Sequence, residues 1–304
     1  MIKIINLSEG QEDFFLLQIN RKTGAKVNIL VDGGKSEKKC RDKLKEYEFE
    51  KLDYIILTHI DSDHIQGLLG LFDDQNEKYK DTVIIYNKFI NGMISYKQAE
   101  KFENIIKNRD ILVSYKEYQD NKGDIIFLSI SQRLKLERNK ERIYITFLSP
   151  SREAVENLYN AYQYYKKYNK VISNNAEIVN RSSIMFLLEY KNSAILMLGD
   201  GYISDIIANI DLLSDETYAF EPIKKVSLIK IPHHGSDENN TELHSLLLKS
   251  HCEMFILTNS DESSVQIHEN LKSELKGKVI YSANLCKKYE GLKVVCKREI
   301  EIEE

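Results

Sequence analysis

Seven consecutive residues combine two histidines with two aspartates: Thr58-His59-Ile60-Asp61-Ser62-Asp63-His64. They follow the apolar run 54–57, which predicts a buried strand, and they precede a helix-like segment. Four side chains that can bind metal are therefore expected in one turn at a strand end, where folds commonly place their chemistry. Because unpaired charge beside a core is costly, the pattern predicts that a pair of divalent metals binds here.

Two later segments repeat this arrangement of a strand followed by polar residues. Asp200 follows the apolar run 194–198, and His233 and His234 follow the run 226–231. If the three strand ends lie side by side in a sheet, their polar residues meet in one pocket. The sequence therefore predicts a single site assembled from three separated segments.

Taken in order, these segments resemble the metallo-β-lactamase fold superfamily, whose signature is His-x-His-x-Asp-His. Here Asp61 replaces the second histidine, and this variant is similar to the nuclease-like domain of the ComEC competence proteins. Shorter matches are Gly10-Gln11-Glu12-Asp13, Val31-Asp32-Gly33-Gly34 and Asn180-Arg181-Ser182-Ser183. The resemblance covers residues 2–295. It implies an α+β fold, the αββα sandwich, in which two mixed β-sheets pack face to face with helices outside.

The resemblance also implies a dinuclear metal site. The six implied ligands are His59, Asp61, Asp63, His64, Asp200 and His234. The first two would hold one metal, the next two and the last histidine would hold the other, and Asp200 would bridge them. His234 is favoured over His233 for the final position, and the sequence leaves both open.

The mechanism expected from such a site is hydrolysis by a metal-bridging hydroxide, since two metals can clamp the attacking and leaving oxygens of an in-line displacement. The predicted catalytic residues are Asp63, Asp200 and His233. The residues predicted to contact substrate or support the ligands are Asp32, Asn180, Ser183, Lys230 and Ser236. Lys230, Ser236 and His233 are all candidates to assist the leaving group, and the sequence does not choose among them.

The ligand types bear on the choice of metal. Asp61 adds a carboxylate where the superfamily has an imidazole, and no histidine lies between His64 and His233. Oxygen-rich sites favour Mn²⁺ or Mg²⁺ over Zn²⁺. We therefore expect two divalent ions, with Mn²⁺ or Mg²⁺ preferred and Zn²⁺ still compatible.

The composition is that of an ordinary globular chain. It has 304 residues, 42% hydrophobic and 30% charged, which is enough for a sizeable core. No linker-like stretch is visible, so we predict one hydrolase domain, 1–304, with inserts around 87–142 and 150–180. The four cysteines show neither metal spacing nor a dense disulfide framework, which predicts reduced thiols. With no signal-like segment or membrane span, we expect a cytoplasmic protein that does not bind membranes.

Charge patterning gives weaker information about partners. The net charge of −4 is unusual for a stand-alone nucleic-acid binder. The run 163–170 interleaves tyrosines with lysines, a pattern that can stack bases and hold phosphates. Such runs are more often solvated helix faces, which is the interpretation that the sequence alone favours.

The leading functional hypothesis is a metal-dependent phosphodiesterase, a nuclease acting on DNA. One alternative is a small-molecule metallohydrolase acting on a cyclic nucleotide, a lactone or a thioester. Another is the catalytic subunit of a larger nuclease or defence complex, which would need a protein partner or a second copy. The fold hosts all of these activities and does not decide among them.

Apolar patterning predicts the order of secondary structure. Strands are expected at 2–7, 14–19, 27–32, 54–57, 82–86, 124–129, 143–148, 183–190, 194–198, 226–231, 254–257 and near 279 and 292. Helices are expected at 36–47, 96–107, 152–168, 202–212, 242–248 and 265–275. The segment 133–142 is expected to be a charged loop.

Overall fold

The structure is a computed structural model. It describes residues 1–303 apart from 22–23, 25, 73–78, 80, 88–96, 108–110, 113–115, 120–124, 129–132, 139–140, 218–220, 263–266 and 288. Much of the predicted insert 87–142 lies outside the described residues. No helix among the described residues is long and apolar enough to cross a membrane.

The first sheet has the strand order β17-β1-β2-β3-β4-β5-β6 within the described residues. Its outer strands pair antiparallel, whereas β3 to β6 pair in parallel. The strands are β1 Ile2–Asn6, β2 Phe15–Asn20, β3 Lys26–Val31, β4 Tyr54–Ile56, β5 Val83–Ile85, β6 Ile111–Leu112 and β17 Glu299–Ile302.

The second sheet has the order β16-β15-β14-β13-β12-β11-β10-β9, again within the described residues. It is antiparallel from β9 to β12 and parallel from β12 to β16. Its strands are β9 Arg133–Arg138, β10 Glu141–Ser149, β11 Met185–Tyr190, β12 Ser193–Met197, β13 Val226–Lys230, β14 Met254–Ile256, β15 Val279–Ser282 and β16 Lys293–Cys296. A separate pair joins β7 Lys116–Gln119 to β8 Ile125–Leu128.

The helices are α1 Glu37–Lys45, α2 Ser62–Ile65, α3 Lys97–Ile106, α4 Arg152–Tyr168, α5 Asn175–Arg181, α6 Ile203–Thr217, α7 Leu243–Ser250 and α8 Glu269–Glu274. Short 3₁₀ turns occur at Gln66–Gly70, Glu221–Lys225, Pro232–Gly235 and Glu238–Asn240. Ser36 and Ser151 begin α1 and α4 by accepting backbone N–H bonds, as helix N-caps do.

Buried side chains divide the molecule into layers. Phe15 of the first sheet and Phe186 of the second belong to one apolar cluster between the sheets. A second cluster joins the outer face of the first sheet to α1, α3 and α4, and a third joins the outer face of the second sheet to α6, α7 and α8. Both sheets are mixed and helices cover both outer faces, so the predicted αββα arrangement is confirmed.

Four strands, β6, β7, β9 and β17, and the helix α5 were not predicted. The segment 133–142, expected to be a charged loop, contains β9, which pairs with β10. Its alternation of charged residues with Leu134 and Leu136 is the period of a strand, and the high charge obscured that period. The C-terminal strand β17 was not predicted, and its own two-residue alternation places Ile300 and Ile302 in the core.

The expectation of four reduced cysteines is wrong for two of them. Cys286 and Cys296 form a disulfide that joins the loop after β15 to the end of β16. Cys40 and Cys252 are free and buried, and burial raises their thiol pKa values, that of Cys252 to about 12. Adjacent strands brought the first pair together, and no local spacing in the sequence indicates that contact.

Candidate metal centre

The site lies where strand ends from the two sheets meet. The segment Thr58–His64 follows β4 of the first sheet, whereas Asp200, His233 and His234 follow β12 and β13 of the second. The backbone N–H of Ile184, just before β11, donates to the Thr58 carbonyl at 2.8 Å. The three predicted segments therefore do meet, although the first belongs to one sheet and the others to the opposite sheet.

The turn after β4 is held by its backbone. The N–H groups of His64 and Ile65 donate to the Asp61 carbonyl, which starts the one-turn helix α2. The N–H of Gly33 donates to the His64 carbonyl at 2.8 Å. A Cβ on Gly67 would collide with the Gly33 carbonyl oxygen, so glycine is required for this close approach.

Asp200 is the centre of the cluster. Its Oδ2 lies 3.3 Å from Nε2 of His64 and 3.9 Å from Nε2 of His59. The same oxygen lies 3.9 Å from Nε2 of His233 and 4.0 Å from Nε2 of His234. One buried carboxylate oxygen thus faces four imidazole nitrogens. This is the arrangement expected of a bridging ligand.

The other predicted ligands flank this centre. Asp63 Oδ2 lies 3.3 Å from Nε2 of His234. Asp61 Oδ2 lies 3.7 Å from Nε2 of His59, and the Asp61 side chain is 45% exposed, so Asp61 lies at the mouth of the site. All six predicted ligands are therefore in one cluster, and His233 is beside them.

The polar atoms of this cluster fit divalent cations. Within the described part of the chain, Nε2 of His59, Nε2 of His64 and Oδ1 of Asp200 are buried without a hydrogen-bond partner. Buried polar atoms are normally paired, and each of these three can bind a metal. Ligand atoms of His59, His64 and Asp200 lie within 4.8 Å of one another, and so do those of Asp63, His64 and His234. The two groups share His64, whose Nε2 can bind one cation, so each group offers part of the ligand set for a pair of adjacent cations.

Neighbouring residues orient the imidazoles through their other ring nitrogens. Asp32 Oδ2 lies 2.7 Å from Nδ1 of His64, and its two oxygens also accept from the backbone and hydroxyl of Thr58. The Thr58 hydroxyl lies 3.1 Å from Nδ1 of His59. These contacts leave Nε2 of both histidines facing Asp200, as metal-binding imidazoles require.

The second sheet supports its own histidines similarly. The Thr258 hydroxyl lies 3.0 Å from Nδ1 of His234 and donates to Asp13. Nδ1 of His233 lies 2.9 Å from the Asn239 side-chain oxygen. His234 is buried, whereas the His233 side chain is 38% exposed. The structure thus places His234 inside the cluster and His233 at its edge.

His233 and His234 adopt left-handed backbone conformations, with φ values of 45° and 52°. Residues other than glycine pay for this conformation, and such strain concentrates at functional sites. Here it is maintained by bonds from the His233 N–H to the Gly199 carbonyl and from the Asn259 amide to the His234 carbonyl. The strained turn directs both imidazoles toward Asp200.

Lys230 is fully buried behind Asp200. Its ammonium pairs with Asp13, donates to the Gly199 carbonyl at 2.8 Å and lies 3.7 Å from Asp200 Oδ1. A lysine in this position holds the turn that carries Asp200 and does not reach the solvent side of the site. The structure therefore favours the supporting role over the leaving-group role.

The remaining predicted residues surround the cluster. Asn180 and Ser183 are buried, and in the described structure Oδ1 of Asn180 and Oγ of Ser183 have no partner. Ser183 immediately precedes Ile184, whose N–H reaches Thr58, so this turn borders the metal segment. Ser236 closes the histidine turn through its backbone, since its N–H donates to the His233 carbonyl.

The charges of the cluster shift its pKa values. Burial raises the pKa of Asp63, but the bond with His234 and the charge of His64 outweigh burial and lower it. Burial opposes protonation of His64, yet Asp200 and Asp32 raise its pKa well above the usual range. The pKa of Asp200 lies well below its usual range despite complete burial, because His64, His234 and Lys230 surround it. The carboxylates of the cluster thus stabilise positive charge located between them.

Three residues of the site, Thr58, Thr258 and Asn239, orient the histidines and were assigned no role from the sequence. Asp13 supports the site through the buried ion pair with Lys230. Asp13 lies in the Gly-Gln-Glu-Asp turn, which was a signal, but its partner Lys230 is 217 positions later and no local pattern joins them. His244 and His268 are exposed and lie outside the cluster.

Comparison with known proteins agrees with this geometry. The model of the metallo-β-lactamase superfamily matches residues 9–80, which contain the Asp13 turn, the Asp32 turn and the segment Thr58–His64. Microtubule-associated protein 1A from rat, mouse and human is 32% identical over 100 residues, 32% of this chain. The match spans only 3% of the length of those curated relatives.

Among solved structures, Tm1679, a metal-dependent hydrolase of the β-lactamase superfamily, superposes with a TM-score of 0.53. The alignment covers all of both chains at 13% identity, so the likeness concerns the fold. The chain therefore has the metallo-β-lactamase fold, and its metal-ligand segment matches the metallo-β-lactamase superfamily.

Proposed function

We propose that this chain is a metal-dependent hydrolase that cleaves phosphodiesters, with DNA as its substrate. The observation that carries the proposal is the position of Asp200 Oδ2, which faces the Nε2 atoms of four histidines from both sheets. Two of those nitrogens are buried without a partner in the described structure. Protein groups alone leave this cluster unsatisfied, whereas two cations would complete it.

The residues of the cluster would have two roles, binding the cations and handling a proton. Nε2 of His59 and of His64, Nε2 of His234, and the carboxylates Asp61, Asp63 and Asp200 would hold two divalent cations. When bound, the cations supply Lewis-acid charge for a substrate oxygen and for the attacking oxygen. His233 is exposed enough to meet substrate, and Asn239 fixes its Nδ1, so its Nε2 is placed to hold or deliver a proton.

The charge of the two cations would act directly on an anionic substrate. Asp32, Asp61, Asp63 and Asp200 together balance the four positive charges of two divalent cations, and Lys230 neutralises Asp13. Fixed positive charge at the cations stabilises the negative charge that develops on phosphoryl oxygens. This local charge supports a phosphodiester substrate. The choice of DNA rests on the resemblance to the ComEC-type nuclease domain.

The test uses purified full-length protein with Mn²⁺, Mg²⁺ or Zn²⁺ on linear, circular and single-stranded DNA, with bis-p-nitrophenyl phosphate in parallel. We expect Asp200→Asn, which keeps the side-chain shape and removes the bridging charge, to lower turnover at least about a hundredfold. His244→Ala is the matched control, because His244 is exposed and pairs with Glu274 outside the site.

Several outcomes would refute the proposal. Turnover that survives Asp200→Asn would assign the cleavage to another protein in the preparation. Hydrolysis of a lactone or thioester, without cleavage of any phosphodiester, would favour the small-molecule enzyme. Activity that appears only with a second protein would favour a subunit of a larger nuclease complex.

A further inference from the structure

The C-terminal half of α4 and the turn after it expose an unusual surface. Four large apolar or aromatic side chains are exposed in the described structure, and Tyr164, Tyr168 and Val171 are three of them. Tyr168 is 50% exposed and Tyr164 is 40% exposed. Neighbouring apolar and aromatic side chains that are exposed together often mark an interaction site.

The two rings form one platform. Tyr164 and Tyr168 are four residues apart on one helix face, and their ring centroids are 4.7 Å apart. The Lys167 ammonium lies 4.9 Å from the Tyr168 ring centroid, and the Lys166 ammonium lies 5.9 Å from that of Tyr162. The Tyr162 ring is buried, so of these two contacts only that of Lys167 with Tyr168 places an ammonium beside an exposed ring.

The charge around this platform has one sign. Residues 157–176 contain Lys166, Lys167 and Lys170 and no acidic residue. This segment is locally basic in a chain whose net charge is −4. We call Tyr164, Lys166, Lys167, Tyr168 and Lys170 the α4 patch.

Helix α5 connects the α4 patch to a segment beside the candidate metal centre. Helix α4 packs against α5, which carries Asn180 near its end and is followed by Ser183. The N–H of the next residue, Ile184, bonds to the Thr58 carbonyl at the start of the candidate metal turn. The α4 patch therefore lies on a helix that packs against the element leading into the site.

We propose that the α4 patch binds a single-stranded nucleic acid and leads it to the metal centre. Exposed aromatic rings stack on unpaired bases, and the lysines between them neutralise phosphates, which together give sequence-tolerant binding. A duplex hides its base faces, so the surface selects single strands. This inference rests on the proposed phosphodiesterase function and names the form of its substrate.

The experiment measures binding and cleavage separately. Fluorescein-labelled single-stranded DNA, single-stranded RNA and duplex DNA are titrated with full-length protein in EDTA, with fluorescence anisotropy as the readout. We expect single strands to bind more tightly than duplex. Tyr164→Ala with Tyr168→Ala should weaken single-strand binding about tenfold or more, and Tyr164→Phe with Tyr168→Phe should restore it.

The contribution of the lysines is measured by the salt dependence of binding. Changing Lys166, Lys167 and Lys170 to glutamine should reduce the slope of log affinity against log salt by about 2, since each single-strand phosphate contact contributes about 0.7. The matched control changes Lys225, Lys276 and Lys293, three exposed lysines away from α4, to glutamine and removes the same charge. That control should leave the slope nearly unchanged.

Turnover of bis-p-nitrophenyl phosphate separates this inference from the proposed function. The α4 patch variants should keep it, because the small substrate needs only the metal centre. The inference is overturned if patch and control variants bind nucleic acid alike, if duplex binds better than single strands, or if the patch variants lose association with a protein and not with nucleic acid. Wild-type protein that cleaves the small substrate and DNA, with α4 patch variants that bind single strands as well as wild type does, overturns the inference alone.

Discussion

The two sheets contribute to the candidate metal centre in different ways. The first sheet supplies its candidate ligands from one turn, Thr58–His64, whose short helix has ordinary geometry. The second sheet supplies Asp200 and the two histidines from separate turns, and the histidine turn is strained at two successive residues. Both sets of turns are held by bonds from elsewhere in the fold, but only the histidine turn needs such bonds to maintain a strained backbone.

One buried contact that connects the two contributions is the ion pair of Asp13 and Lys230. Asp13 lies between β1 and β2 of the first sheet, and Lys230 ends β13 of the second. Lys230 also holds the Gly199 carbonyl beside Asp200. If the second sheet depends on this support, breaking the pair should harm the protein more than any change at the surface.

The largest effect is expected for Lys230→Met, which leaves Asp13 buried and unpaired. Removing one member of a buried pair typically costs about 3–5 kcal/mol of unfolding free energy. Urea denaturation in EDTA measures this loss without a contribution from bound metal. The double variant Asp13→Asn with Lys230→Met should recover part of the loss. A cost below about 1 kcal/mol would show that the second sheet holds its turns without the pair.

The next largest effect, on metal affinity, is expected from the residues that contact Nδ1 of the buried histidines His64 and His234. Asp32→Asn weakens the support of His64 and tolerates the left-handed backbone at φ 55°. Loss of such a contact usually lowers metal affinity about 10- to 100-fold. Thr258→Val removes the hydroxyl that contacts His234. It should lower metal affinity only about 10-fold, because the lost group is a neutral hydroxyl rather than a carboxylate. Calorimetric titration with Mn²⁺ compares them, and a larger loss for Thr258→Val would reverse the order.

The choice of metal tests the role of Asp61, which lies at the mouth of the site. Asp61 gives the first turn an oxygen where an imidazole would favour zinc. Wild type should therefore be more active with Mn²⁺ or Mg²⁺ than with Zn²⁺. Asp61→His should shift the ratio of Zn²⁺-supported to Mn²⁺-supported turnover about tenfold toward Zn²⁺. A wild-type enzyme that works best with Zn²⁺ would contradict this account of Asp61.

The smallest effect is expected for a surface ion cluster, in contrast to the buried pair of Asp13 and Lys230. Glu9, in the same loop as Asp13, contacts Lys39 at 2.6 Å and Lys43 at 2.8 Å. The bonds from Lys39 and Lys43 lower the Glu9 pKa from 4.5 to about 2. A lowered pKa means that the contribution is present above pH 4.5 and is lost as the pH falls toward 2.

Glu9→Gln should therefore destabilise the protein at pH 6 by no more than about 1 kcal/mol, the upper range for surface pairs. The difference from wild type should shrink as the pH approaches 3. Thermal unfolding across this pH range measures it, with Glu290→Gln as an exposed control outside the cluster. A difference that does not change with pH would show that Glu9 acts through packing rather than charge.

The prediction from sequence was strongest where the signal was local. The run before Thr58 and the four ligands after it are contiguous, so strand, turn and candidate ligands could be recognised together. Strands β9 and β17 were missed because charged residues alternate with the apolar ones and lower their mean hydropathy. The residues that orient the histidines were missed because threonine and asparagine carry no distinctive pattern.

The sequence by itself determined the metal-capable segments, their order, and the alternation of buried strands with helices that sets the fold class. These properties depend on neighbouring residues, whose spacing is fixed by covalent geometry. Only the tertiary structure decided that Asp200 Oδ2 faces four imidazoles, that Lys230 pairs with Asp13, and that Cys286 meets Cys296. Such contacts join residues from different strands and loops, and they exist only once the strands pair and the two sheets pack.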